Sequence, residues 1–385
     1  MAVMNYSVPR TIVYGEKALD KLGELEGKKA MLVTGGSSMK RFGFLDQAKN
    51  ILEKAGMKTA VIDGVEPNPS VKTVKEGAEA MIAFQPDWIV AIGGGSALDA
   101  AKVMWCFYEH PELTFEDIVT PLTMPKLRTK AHFAAIPSTS GTASEITAFS
   151  VITDTDNHIK YPLVSPEMVP DIAILDPALP AKMPAHITAN TGMDVMAHAT
   201  EALVSTASTS FTDPYALEAI TLVAEWLPKA YKNGNDMEAR YHMHNASTLA
   251  GMAFTNASLG LVHSLAHKIG GEFGVTHGLA NAILMPWIIE FNKKSTDKYA
   301  LAEKALKVDN LENEIRRLNR VLDIPASFAS CNEVDFNEEK FKAVLDRMSE
   351  NAYNDPCTLT NPGAPSIADI KAIYQAAYYG EWKKA

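Results

Sequence analysis

Cysteine is nearly absent. Cys106, Cys331 and Cys357 are the three in 385 residues, far apart and without a CxxC pair. That excludes a disulfide framework and a thiolate zinc site, and it suits a reducing cytoplasm. Positive charge is also short: 36 Lys and Arg face 46 Asp and Glu, a formal net charge of −10. With no basic surplus to neutralise phosphates, neither nucleic acid nor an anionic membrane is an expected partner. Long apolar runs are missing too. No stretch reaches the ~20 apolar residues of a membrane span. The opening MAVMNYSVPR has no apolar signal core. The expectation is a cytoplasmic protein. Two nucleotide fingerprints are lacking as well, since no GxGxxG and no loop ending in GK[ST] occurs where a phosphate loop would be sought.

What is present is an ordinary globular composition, 47% hydrophobic and 21% charged, over a length that favours two domains. The first half alternates short apolar runs with helical stretches. KKAMLVTGG (28–36), KTAVIDGV (58–65), PDWIVAIGGGS (86–96), AHFAAIPSTSG (131–141) and DIAILD (171–176) read as strands. FLDQAKNILEKAG (44–56) and TVKEGAEAMIAF (73–84) read as helices between them. Near-continuous apolar strands separated by helices imply a parallel sheet covered on both faces. The run 149–165 reads instead as a β-hairpin around Asp156-Asn157. After the proline-dense 176–188 only helical periodicity remains, as in 216–227, 237–254, 311–322, 341–353 and 367–379. We therefore expect an α/β domain over 1–180 and an all-helical domain over 181–385, with a ligand cleft between them.

AIGGGSALDAAK (91–102) runs strand, glycines, helix. Glycines let backbone approach a ligand, and N–H groups at a helix start attract anions, so this is a candidate pyrophosphate cradle. IPSTSGTASE (136–145) adds hydroxyls at what should be the same sheet edge, where ligands of parallel sheets gather. The first strand's end, VTGGSSMKRFG (33–43), carries Gly35, Ser37, Lys40 and Arg41 with no acid to hold a free ribose. Small donors and nearby cations favour the phosphorylated nicotinamide, NADP over NAD.

Histidines cluster in the second half. Asp194 and His198 are four apart, with Glu201 one turn further; His263 and His267 repeat the spacing, and His277 follows. Residues at i and i+4 project together from a helix and can converge on one ion. Nitrogen and carboxylate donors without thiolate suit Fe²⁺ or Zn²⁺. Spacing alone chooses neither the metal nor four ligands from the candidates. His242 and His244 are two apart and point to different sides of a helix; with His110, His132, His158 and His186 they are read as structural.

GGGSALDAAK (93–102), PSTSGTASE (137–145), the run from ILDPALPAKMP through TGMDVMAHATE (174–201) and GLVHSLAHKIG…HG (260–278) resemble the iron-containing (group III) alcohol dehydrogenases. The resemblance covers essentially the whole chain and is nearest the butanol and 1,3-propanediol branch. It implies a dehydroquinate synthase-like fold: an α/β dinucleotide-binding domain followed by an all-α metal-binding domain. It also implies Asp194, His198, His263 and His277 as metal ligands, with His267 beside the nicotinamide as a proton relay. Beside Gly35 and Ser37 of the turn read above, it places cofactor contacts on Asn68, Gly94, Gly95, Ser96, Asp99, Thr139, Thr142 and Lys160, and Phe149 and Phe254 as walls of the substrate pocket. A homo-oligomer is implied. The expected reaction is reversible oxidation of a short primary alcohol or diol with NAD(P), the ion acting as Lewis acid.

The chain departs from the family's pattern in three places: Thr276 replaces a common proline, the acid near Gly35 is missing, and Gly363 stands where TNPR usually has arginine. The rival readings are a dehydroquinate synthase-like or glycerol dehydrogenase-like enzyme on the same fold, a metallohydrolase, and a non-catalytic helical binding module. The module leaves both histidine signatures without a purpose.

Overall fold

The apolar runs of the first half form strands in the computed structural model, which describes residues 5–155 and 159–382. They are β1 (Thr11–Tyr14), β2 (Lys29–Gly35), β3 (Lys58–Val65), β4 (Trp88–Gly93), β5 (His132–Pro137), β6 (Phe149–Asp154), β7 (Ile159–Val164) and β8 (Ile172–Leu175). Six make one sheet in the order β1-β8-β5-β4-β2-β3, with every neighbouring pair parallel. β6 and β7 pair antiparallel by themselves, Phe149 opposite Val164. The expected turn at Asp156-Asn157, and His158, lie outside the described residues.

Both faces of the sheet are covered, which is why its central strands carry no polar alternation. On one face Met31, Val33, Ile89, Ala91, Phe133 and Ala135 pack against the helices Val71–Phe84 and Gly95–Glu109. On the other, Leu32, Val90, Ile92, Ala134 and Ile136 pack against the helix Phe44–Lys54. β2 sits between β3 and β4, so the chain winds to opposite sides after β2 and after β4. A crevice opens at the carboxyl ends of strands where the winding reverses, the usual place for a ligand in such sheets.

Two details differ from expectation. β1 was not foreseen: four residues at a sheet edge, with no buried side chain, leave too little apolar pattern to read. The third predicted strand, 86–96, stops at Gly93, because Gly93 takes φ +154° and Gly95 already opens the next helix. Its glycines belong to the turn.

The chain divides into two compact units. One runs up to Thr139 and includes Ala143–Lys182; the other joins Ser140–Thr142 to the residues from Met183 onward. Among the described residues of the second unit every regular element is helical. Its main helices include Ala185–Val204, Asp213–Lys232, Met237–Ala257, Leu261–Phe273 and His277–Asn292. His277–Asn292 is apolar nearly all round and correspondingly buried on all sides, as a central helix must be. Among the described residues no helix is long and apolar enough to cross a membrane.

Candidate functional site

In the first unit the glycine turns sit at the carboxyl ends of β2 and β4. A Cβ at Gly35 would lie 2.8 Å from the Val65 carbonyl oxygen, so only glycine fits where β2 closes on β3. Gly36 follows at φ +55°, and Ser37 precedes the short helix Ser38–Arg41. After β4, Gly94 leads into Gly95–Glu109 with no side chain capping its first turn, which leaves backbone N–H groups of Gly95 and Ser96 for an anion. The hydroxyl-rich loop after β5 is tied alongside. Ser138 N–H donates to the Gly93 carbonyl at 2.8 Å, and the Thr139 methyl lies 3.6 Å from where a Gly94 Cβ would be.

Asp99 has both carboxylate oxygens engaged by protein donors, Ser144 Oγ at 2.6 Å and Val151 N–H at 2.9 Å. It thereby joins helix, loop and hairpin. One turn on, the wholly buried Lys102 donates to the Thr147 and Phe149 carbonyls, each at 2.8 Å. Lys160 on β7 reaches Asn68, which takes φ +57° in the turn before Ser70, at 2.8 Å. Phe149 opens β6, half-buried. Thr142 is exposed and is grouped with the helical unit.

In the second unit Asp194, His263 and His277 converge, one donor atom from each lying within 4.8 Å of the others. Asp194 Oδ1 is 3.5 Å from Nε2 of His263 and of His277. His198, one turn after Asp194 on the same helix, points Nε2 at that oxygen from 3.8 Å, outside the tight trio. Its ring stacks on His263 at 4.6 Å and on Phe254 at 4.2 Å. Burial would raise the Asp194 pKa, but His198, His277 and His263 hold it well below the carboxylate range. Burial pushes His198 down to about 4, and His277, although its side chain is 42% exposed, is lowered as well, which favours the neutral imidazoles a metal needs. A buried carboxylate among such imidazoles is a donor set that fits a divalent ion.

What holds these donors is a set of neighbours that spacing did not reveal. Burial would lower the His263 pKa, but Glu201 and Asp194 hold it up to about 9. Glu201 Oε2 binds His263 Nδ1 at 2.5 Å, and its Oε1 accepts the Val262 backbone N–H at 2.5 Å. One carboxylate thus caps the start of Leu261–Phe273 and fixes the imidazole with Nε2 facing Asp194. Asn281 Nδ2 donates to Asp194 Oδ1 at 2.7 Å and lies 3.3 and 3.2 Å from Nε2 of His263 and His277. Gly278 lets its helix approach Ala185–Val204, since a Cβ there would sit 2.0 Å from the Asn190 carbonyl oxygen. Asn361, the asparagine of the TNP run, accepts the Leu261 N–H and is bonded to Asn292. Gly363 packs so that a Cβ would meet Ser295 Oγ at 2.8 Å. Thr276 takes φ −58°, an angle proline shares, and donates its N–H to Glu333.

His267 stands apart from the trio. Its ring stacks on His277 at 5.6 Å, and Nδ1 lies 3.2 Å from Asp355 Oδ2. Lys268 Nζ binds the same oxygen at 2.7 Å. Burial would raise the Asp355 pKa, but His267 and Lys268 keep it far below. Asp355, like Asn281, was not singled out from sequence; its only local signal is the turn-forming NDP at 354–356. Of the other histidines in this unit, His242 stacks on Trp226 at 4.2 Å and His244 is buried against Ser140 Oγ at 3.0 Å.

Two family models match the chain. Residues 9–177 match iron-containing alcohol dehydrogenase, and residues 188–378 match the C-terminal region of the Fe-containing alcohol dehydrogenase family. An NADPH-dependent butanol dehydrogenase from Clostridium saccharobutylicum is 50% identical, covering 98% of this chain and 99% of that protein. Among solved structures, an iron-containing alcohol dehydrogenase from Thermococcus thioreducens superposes with a TM-score of 0.91 at 36% identity, covering 98% of this chain and 100% of that one. A 1,3-propanediol oxidoreductase gives 0.90 at 33%, with the same coverage.

Proposed function

This chain belongs to the iron-containing alcohol dehydrogenase family, and from that premise we propose that it interconverts short primary alcohols or diols with their aldehydes, exchanging hydride with NADP(H). The convergence of Asp194, His263 and His277, with Glu201 fixing the central imidazole, is the observation that carries the reading. These three and His198 would hold the iron. When bound, the ion supplies Lewis acidity at the substrate oxygen, easing loss of the alcohol proton in one direction and attack on the carbonyl in the other.

The remaining work belongs to the chain and the nicotinamide. The turns after β2, β4 and β5 hold the dinucleotide, and hydride transfer is the cofactor's own chemistry once it is oriented. NADP is favoured by the acid-free turn at Gly35–Ser38 with Lys40 and Arg41 behind it, and by the NADPH-dependent relative. Phe254, stacked on His198, offers an apolar wall suited to a short carbon chain. Asp355 orients His267 by accepting Nδ1–H, which leaves Nε2 to carry the proton. Three unpaired cysteines support a cytoplasmic location. The resemblance to this family further supports a homo-oligomer.

A dehydroquinate synthase-like lyase would need several cations for a phosphorylated, carboxylated substrate, whereas Phe254 borders the ligand cluster here. The test is NADPH consumption with butanal by the iron-loaded protein, with NADH run in parallel and iron content measured on the same samples. His263→Ala should lose both iron and turnover. His267→Ala should keep iron but lose rate at roughly unchanged KM, by ~100-fold or more for a proton relay. Absence of butanal reduction with either cofactor would overturn the substrate class. Loss of iron from His267→Ala would overturn the division of roles.

A further inference from the structure

His267, Asp355 and Cys357 bring a nitrogen, an oxygen and a sulfur within 4.8 Å of one another. His267 lies on the helix Leu261–Phe273; Asp355 and Cys357 frame the start of the short 3-10 helix Pro356–Thr360, where the Cys357 N–H donates to Asp355 Oδ1 at 3.0 Å. The 3.2 Å from His267 Nδ1 to Asp355 Oδ2 is close to the ~3.3 Å edge of a tetrahedron with metal–ligand bonds of ~2.0 Å. Asp355 is buried, and burial with Asp355 beside it pushes the Cys357 thiol well above its ordinary pKa, so only an arriving cation would hold the thiolate; the His267 side chain, 36% exposed, is the group's opening to solvent. Cys106 and Cys331 are both buried and belong to neither donor cluster.

We propose that these three side chains form a second cation site, selective for a soft divalent ion of the Zn²⁺ class. The sulfur makes the difference, and it amends the expectation drawn from cysteine scarcity, because a single thiolate without a CxxC pair here joins a nitrogen and an oxygen donor. The Asp194 cluster offers nitrogen and oxygen alone, whereas a thiolate favours Zn²⁺ or Cd²⁺ over harder ions. Binding replaces protons: the Cys357 thiol proton leaves to solvent, and the His267 proton moves from Nδ1 to Nε2 so that Nδ1 can coordinate. Lys268 is the built-in competitor. Its ammonium occupies Asp355 Oδ2 at 2.7 Å, but its flexible, part-exposed stem can swing that charge into water. An ion on Nδ1 takes His267 from Asp355, and so inhibits turnover; this last consequence rests on the relay role proposed above.

Titration of the iron-loaded enzyme with Cd²⁺, followed by sulfur-to-cadmium charge-transfer absorbance, reads the site independently of activity. Cadmium entering the Asp194 cluster gives no such band, because that cluster has no sulfur. One thiolate-bound Cd²⁺ per chain is expected. Cys357→Ser should remove the band and weaken Zn²⁺ inhibition by about tenfold or more, the low end of what lost metal support costs. Lys268→Met should tighten Cd²⁺ binding by removing the competing charge. No band, a band that survives in Cys357→Ser, or one that vanishes instead with Cys106→Ser or Cys331→Ser overturns the proposal. A band lost in Cys357→Ser with Zn²⁺ inhibition unchanged, at an iron content shown to be undiminished by the Zn²⁺, leaves the site standing and overturns the relay role of His267.

Discussion

Glu201 shows how one side chain can serve helix and ligand together. Its two oxygens answer two donors, the Val262 N–H and His263 Nδ1–H. A glutamine of the same shape has one acceptor oxygen, so its NH₂ must face one of those donors. Glu201→Gln is expected to weaken iron binding about 10–100-fold with little change in fold. Iron retained after dialysis against a chelator measures this, and unchanged retention would remove Glu201 from the account. Lys102 makes a second residue-scale case. Burial pushes its ammonium down from 10.5 to about 8, while Asp99 and Glu145 resist. Between those values the unfolded chain holds more protons at this group than the folded one, so stability from this group rises with pH. Wild type should therefore gain on Lys102→Met as pH climbs from about 8 towards 10.5. Denaturant unfolding of both proteins across that window checks it; a flat difference would mean the folded pKa is not depressed.

At the scale of elements, close helix approach decides where His277 ends up. Its helix passes Ala185–Val204 so near Asn190 that a Cβ at 278 would overlap a backbone oxygen, which has no rotamer to yield. Gly77 is also crowded, but there the obstacle is the Met104 side chain, with its Sδ at 2.4 Å, which can move. Gly278→Ala is expected to cost about 1–3 kcal/mol or more and to loosen iron, because His277 moves with its helix. Gly77→Ala should cost less and leave iron alone. Thermal unfolding and iron content of the two variants separate the effects.

Across the whole molecule the two ligand sets come from different compact units. The turns proposed for the dinucleotide lie in the αβ unit, apart from Ser140–Thr142 of the loop after β5, and the donors proposed for iron lie in the helical one. Iron removal by chelation should therefore abolish turnover yet leave NADPH binding within about tenfold. Cofactor fluorescence titration of the iron-free protein measures that. Loss of NADPH binding together with iron would show that the phosphate turns depend on the helical unit for their shape.

The sequence by itself determined the class of fold and the kind of chemistry. Parallel strands covered on both faces must be apolar throughout, so β2, β4 and β5 could be read directly, as could the glycine turns that end β2 and β4. Asp194 and His198 were readable because four residues make one helical turn. Tertiary structure alone decided which donors meet. Glu201 reaches His263 across 62 residues, Asn281 reaches Asp194 across 87, and Asp355 reaches His267 across 88. Such pairs have no local period to betray them. They exist because helices distant in the chain pack at particular distances, and a glycine or a capping carboxylate sets those distances only once the chain has folded.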